Sequence, residues 1–183
     1  MLFRSRVEIH RFEKLWTVAA ILLIVGFIAT IVYGAVGPGI AMVDETGGTV
    51  DIETVQQGNY DQLPNFEEPT QNATHVEGDR YEIYVIAQQF NFVPGGVGNP
   101  MRVPAHSEVT LHITSTDVMH GFEVAGTNVN TMVIPGQVTE VTATFDEPGT
   151  YNLVCAEYCG SAHHLMEGTL VVVPQDEFQG GDA

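Results

Sequence analysis

Leu15–Val36 reads LWTVAAILLIVGFIATIVYGAV, without one charged residue. A run this long and apolar crosses the ~30 Å hydrocarbon core of a bilayer at ~1.5 Å per residue, so it limits what the rest of the chain can be. Trp16 and Tyr33 stand near its ends, where interfacial aromatics gather. Four of the 6 basic residues, Arg4, Arg6, Arg11 and Lys14, precede it. Positive charge on that side predicts a cytoplasmic tail over 1–14, a transmembrane helix over 15–36 and an extracytoplasmic remainder. A cleaved signal peptide is the competing reading. Its apolar region is usually ~7–15 residues, and Tyr33-Gly-Ala is a poor cleavage site. A buried soluble helix would show a polar face, and this one shows none.

The remainder is acidic. The chain has 23 Asp and Glu against 6 Lys and Arg, a net charge of −17, and only Glu8 and Glu13 of the acidic residues precede the apolar run. Such a surface repels phosphate, which excludes nucleic acid as a partner. It suits a basic partner or a very salty medium. With 44% hydrophobic residues the chain carries enough apolar surface to fold. Two cysteines are too few for a disulfide-stapled scaffold.

Residues 37–79 are rich in Gly, Pro, Asn, Gln and acidic residues and read as a linker. Asn72-Ala-Thr74 within it is a glycosylation sequon. From Arg80 the texture turns to β. Tyr81–Gln88 is rich in strand formers. Val109–Thr114 alternates strictly, with Val109, Leu111 and Ile113 facing inward. Val141, Ala143 and Phe145 alternate again, Tyr151 and Leu153 follow, and Thr169–Val173 closes the series. Turn signals at Pro94-Gly, Gly121, Pro135-Gly and Pro148-Gly separate these runs. Short strands so spaced predict one antiparallel Greek-key sandwich or barrel over 80–174. Residues 175–183 read as a frayed acidic tail.

Cys155-Ala-Glu-Tyr-Cys159-Gly-Ser-Ala-His163-His-Leu-Met166 carries the chemistry. Thiolates and a thioether select soft metals, copper above all once Met is included. His120, on a turn after the Val109–Thr114 strand, offers a further imidazole, because loops distant in sequence meet at one end of a Greek-key sandwich. A mononuclear blue-copper site needs two His, one Cys and a weak axial Met. This chain adds a second Cys, so two thiolates can bridge two ions with one His on each. A Cys155–Cys159 disulfide and a Cys2His2 zinc site are the plainer readings. The first leaves His120, His163 and Met166 without a role, and the second leaves Met166 without one. His112 alternates with inward residues and is expected on the solvated face. His106, His75 and His10 are given no role, and His164 is expected to point away.

The motif Cys-x-Glu-x-Cys-Gly-x-x-His-x-x-Met, with Asp117-Val-x-His120-Gly-Phe upstream, resembles cytochrome c oxidase subunit II. The resemblance runs from the apolar helix to Val173. It is strongest to the B-type (ba-type) oxidases, which have a single anchor helix. It implies an all-β, cupredoxin-like fold with one N-terminal transmembrane helix. It also implies a dinuclear copper centre, CuA, held by His120, Cys155, Cys159, His163, Met166 and the main-chain carbonyl of Glu157. In the larger branch of the family the glutamate carboxylate also helps hold magnesium at the subunit I interface. Electrons would come from a cytochrome c or a small blue-copper protein. They would pass to haem in subunit I, which would hold CuB and reduce oxygen. An aromatic in the Phe90–Phe92 region lies over the copper pair in the family, which makes Phe92 the candidate for the point where electrons enter. A membrane-tethered copper carrier working without an oxidase is the alternative function. A nitrous-oxide reductase would carry a large further domain, and a quinol-oxidase subunit would lack these ligands.

Both a basic partner and a halophilic setting fit the charge, and salt separates them. Like charges at this density repel at low ionic strength, whereas the Debye length is only ~3 Å at 1 M. The extracytoplasmic part is expected to lose stability on dialysis from molar salt to dilute buffer. An unchanged melting temperature would leave the acidity to be explained by a basic partner alone.

Overall fold

The structure, a computed structural model, describes residues 9–36 and 47–182. Arg4 and Arg6 and linker residues 37–46 lie outside the described residues. The chain divides into two units, Met1–Ile40 and Ala41–Ala183. In the first, α1 (Ile9–Val36) begins before the apolar run and includes Arg11 and Lys14. Its His10–Tyr33 stretch is long and apolar enough to cross a membrane. The hydroxyls of Thr17 and Thr30 donate to the carbonyls of Glu13 and Phe27, so these two polar side chains are satisfied within the helix.

The second unit contains a short helix, α2 (Ile52–Gln56), and eleven strands: β1 (Thr74–Glu77), β2 (Arg80–Gln88), β3 (Asn91–Val93), β4 (Met101–Pro104), β5 (Glu108–Ser115), β6 (His120–Val124), β7 (Asn130–Val133), β8 (Thr139–Thr144), β9 (Gly149–Val154), β10 (Glu167–Val173) and β11 (Gly181–Asp182). One sheet runs β11-β1-β2-β5-β8 with β3 beside β2, and the other runs β4-β10-β9-β6-β7. The two close on a core that includes Val85, Phe92, Val103, Leu111, Phe122, Val133, Leu153 and Leu170. This is the expected cupredoxin-like sandwich. Val109, Leu111 and Ile113 of β5 are all fully buried, as expected, but the strand is buried on both faces from Leu111 to Ser115.

The sheets are mixed rather than purely antiparallel. β2 pairs parallel with β5, Ile83 opposite Leu111, and β4 pairs parallel with β10. The sequence of β2 carries the reason. Ile83-Tyr-Val-Ile-Ala87 is buried throughout, as in a strand covered on both faces.

Part of the expected linker supplies the outer cover. Asp51 caps α2 by accepting from the Thr54 N–H at 2.9 Å. Val50, Val55 and Phe66 then pack on Tyr84, Ile86 and Val138 as a second core. The Phe66 ring meets Tyr84 edge-on, centroids 5.3 Å apart. The Val138 N–H donates to Gly48 and the Val50 N–H to Gly136. Among the described residues, packing therefore extends back to residue 47, well before Arg80. The reading of His112 as solvated is corrected on the same sheet face. His112 is 8% exposed, stacked on Tyr84 at 4.6 Å, between Glu82 and Glu140. The tail is not frayed either: β11 pairs with β1, and Phe178 packs edge-on against Tyr81.

If the 47–67 segment is part of the fold, Phe66→Ala removes a fully packed aromatic and should cost about 3–5 kcal/mol of unfolding free energy. Denaturant unfolding of the full chain measures it. A loss below about 0.5 kcal/mol, the level of an ordinary surface change, would return the segment to the role of a tether.

Candidate metal centre

The loop between β9 and β10 is shaped before any ligand enters it. The Cys155 N–H donates to the Met166 carbonyl at 3.2 Å, which closes the neck of the loop. The His163 N–H donates to Gly160, and the Met166 N–H to His163, so the far arm curls back on a single turn of 3-10 helix. Gly160 sits at φ +140°, a conformation that side chains rarely adopt. β6 pairs with β9, Val124 opposite Leu153, and this lays His120 beside Cys155. The approach is close: a Cβ on Gly121 would stand 2.8 Å from Ala156 and from the Glu157 nitrogen. Glycine after His120 is therefore a steric requirement of the contact between β6 and the loop.

Five side chains and one carbonyl converge. The sulfurs of Cys155 and Cys159 are 3.8 Å apart. His120 Nδ1 is 3.8 Å from the first, and His163 Nδ1 is 3.7 Å from the second. The Glu157 carbonyl oxygen is 3.2 Å from Cys155 Sγ, and Met166 Sδ is 3.6 Å from Cys159 Sγ. Each sulfur thus has one imidazole nitrogen and one weak donor of its own. His120, Cys155, Cys159 and Met166 are buried, and His163 is half-buried.

The electrostatics favour a cation here. Burial pushes the Cys159 thiol up, the neighbouring Cys155 pushes it further, and the N–H of Phe90 only partly opposes them. Asp117 goes the other way. Burial raises it, but hydrogen bonds from His120 and from the N–H groups of Gln89 and Val118 outweigh this and hold the carboxyl below its ordinary range.

The donor set fits a thiophilic ion. A separation of 3.8 Å is far beyond the ~2.05 Å of a disulfide, and both cysteines are free thiols. It is also short enough for one ion at ~2.3 Å to touch both sulfurs. Ligand atoms of His120, Cys155 and Cys159 lie within 4.8 Å of one another.

The structure therefore brings together His120, Cys155, Cys159, His163 and Met166, with Glu157 joining through its backbone. His164 is exposed and stands apart. Phe92 lies fully inside the core, edge-on to Phe122 at 5.4 Å. The exposed aromatic on this turn is Phe90, 37% exposed at φ 71°, whose ring borders Gly160. Asp117 and Gln89 join the site without having been expected there, although the Asp-x-x-His spacing is a usable signal for the first.

Comparison with known proteins places the chain among respiratory proteins. Residues 70–173 match the family described as cytochrome c oxidase subunit II, periplasmic domain. The chain is 36% identical over 172 residues to a cytochrome c oxidase subunit 2 of Thermus thermophilus, covering 92% of this chain and 96% of that one. A second cytochrome c oxidase subunit 2 of Thermus thermophilus is 40% identical over 121 residues, covering 66% of this chain and 87% of that one. Among solved structures, a chain of a heme-copper terminal oxidase dimer superposes with a TM-score of 0.63 at 32% identity, covering 88% of this chain and 99% of that one.

The raised Cys159 thiol has a consequence for stability. Without metal, the folded chain holds that proton more tightly than the unfolded chain does. The contribution is intact below the ordinary thiol value of 9.0 and is lost as pH rises past it. The metal-free chain should melt at progressively lower temperature as pH rises past about 9, and Cys159→Ser should flatten the decline. Identical pH dependence in both proteins would show that the thiol is not raised.

Proposed function

The chain belongs to the cytochrome c oxidase subunit II family, and on that premise we propose that it holds a dinuclear copper centre that receives single electrons outside the membrane and passes them to haem in subunit I. The observation that carries this reading is the paired arrangement of the donors, each of two buried sulfurs having its own imidazole nitrogen and its own weak ligand. Copper bound there would supply a one-electron couple.

The protein's part is to keep the donors still. The hydrogen-bonded neck at Cys155 and Met166 and the close contact of Gly121 fix both arms of the loop. Six donors on a folded frame leave no open position for a substrate, which suits electron transfer and not bond chemistry. Met166 and the Glu157 carbonyl, as weak donors, tune the potential more than they hold the metal. The Glu157 carboxylate is half exposed and is the group available to a magnesium ion at the subunit I interface.

Electrons enter from a cytochrome c or a small blue-copper protein. Tyr158, 77% exposed, and Leu165, 65% exposed, alternate along the chain with the ligands and present apolar surface at the centre. Phe90 stands at the surface of the 89–93 turn and Phe92 beneath it, so a donor meets Phe90 first. The basic residues before the apolar run favour a cytoplasmic N-terminus and an extracytoplasmic copper domain. Oxygen reduction at haem and CuB belongs to subunit I.

Copper analysis tests the proposal. The full chain is expected to take up two copper ions, and its oxidised form to give an EPR spectrum in which one unpaired electron is shared by both nuclei. Replacing Cys155 or Cys159 should abolish that spectrum. Met166→Leu should keep the copper and shift its potential. One copper per chain with the signature of a single nucleus would overturn the dinuclear reading.

A further inference from the structure

We propose that Asp117 is the positioning carboxylate of His120, fixing both the orientation and the tautomer of this imidazole so that Nδ1 is the nitrogen left free to bind metal. The inference rests on the dinuclear reading for its metal, though its geometry stands without one. His120 is fully buried, and its two ring nitrogens face different groups. Nε2 lies 2.8 Å from Asp117 Oδ1, and Nδ1 lies 3.8 Å from Cys155 Sγ. A carboxylate only accepts, so Nε2 carries the proton. Nδ1, the nitrogen turned toward the sulfur, is then the one that can offer a lone pair to a metal. Carboxylate–histidine–metal arrangements work in this way: the outer group holds the ring and raises its basicity.

Asp117 is itself held. Oδ2 accepts from the Gln89 N–H at 2.5 Å and Oδ1 from the Val118 N–H at 2.6 Å, while the Asp117 N–H donates to the Ser115 hydroxyl oxygen at 3.3 Å. Its position is therefore set by the end of β2 and by its own loop before His120 makes any contact. Gln89 extends the arrangement across the site. Its side-chain amide donates to the Cys159 carbonyl at 2.9 Å, so the residue that holds Asp117 from one side also holds the second cysteine. One short turn thereby couples the placement of His120 to that of Cys159.

Histidine-selective 15N labelling of the full chain tests this without metal. The copper-free protein is expected to show His120 with a slowly exchanging, downfield-shifted Nε2–H and an unprotonated Nδ1. Asp117→Ala should lose the slow exchange. Copper(I) affinity, measured by competition with a chelator, should then fall roughly 10–100-fold. In the copper-loaded variant the reduction potential should rise, because a negative group facing the ligand is gone, and the His120 ring signals should move more than those of His163. A purely structural Asp117 would lower the melting temperature and leave the potential and the His120 signals alone, and that result would overturn the proposal. A wild-type His120 protonated on Nδ1 would overturn it as well, and needs no variant to fold. An intact Nε2–H in a chain that takes up only one copper would uphold Asp117's role while sinking the dinuclear reading, so the two failures are distinguishable.

Discussion

Two buried sulfurs 3.8 Å apart set the demands that the rest of this domain meets. Two thiolates at that distance repel by about 4 kcal/mol at an effective dielectric constant of about 20. A hydrogen bond from the Phe90 N–H to Cys159 returns roughly 1.5–3 kcal/mol, as bonds to charged groups do. Hydrogen bonds of that size do not offset both the repulsion and the burial, so the doubly deprotonated site needs cationic charge. The frame supplies donors of the right softness and holds the two sulfurs apart as free thiols. The closed neck, Gly160 at positive φ and the bare face of Gly121 all serve that spacing.

Much of this was legible in the sequence because it is local. The five candidate donor side chains are four at fixed offsets on one loop plus one histidine, and a thioether beside two thiols narrows the metal without any fold. The strand β5 was equally plain, since Val109, Leu111 and Ile113 alternate with polar residues and face the core. The helix α1 declared itself by length and lack of charge.

What the sequence hid is non-local. Val50, Val55 and Phe66 are sparse apolar residues among acids and amides, with no period to reveal a face. Their partners, Tyr84, Ile86 and Val138, lie far along the chain. His112 is taken out of water by its neighbours on the same sheet face, the Tyr84 ring and the Glu82 and Glu140 side chains, so the alternation rule placed it on the correct face but missed that the face is covered there. The parallel pairing of β2 with β5 was concealed for a related reason. The connection between them passes through β3 and through β4 in the opposite sheet, and such long closures leave no short-range mark. Phe90 and Phe92 show the limit of composition: two aromatics two residues apart, one at the surface and one in the core, separated by a positive φ at Phe90 that the sequence does not announce.

The second layer also bears on the metal loop. Gln56, at the end of α2, donates its amide to the Thr116 carbonyl at 2.6 Å, and the Thr116 N–H donates to Ala87 at 3.2 Å. Thr116 precedes Asp117, and Asp117 meets His120. The loop 115–119 is thus braced from the outer layer by Gln56, from β2 by Ala87 and Gln89, and from within by the Ser115 hydroxyl, which donates to Val118. A loop held from three directions changes little when the charge beside it changes. Small movement on gain or loss of an electron is the property that makes a metal site a fast carrier. On the proposed reading, the cover of the outer sheet face would therefore serve electron transfer as well as stability, acting through the 115–119 loop.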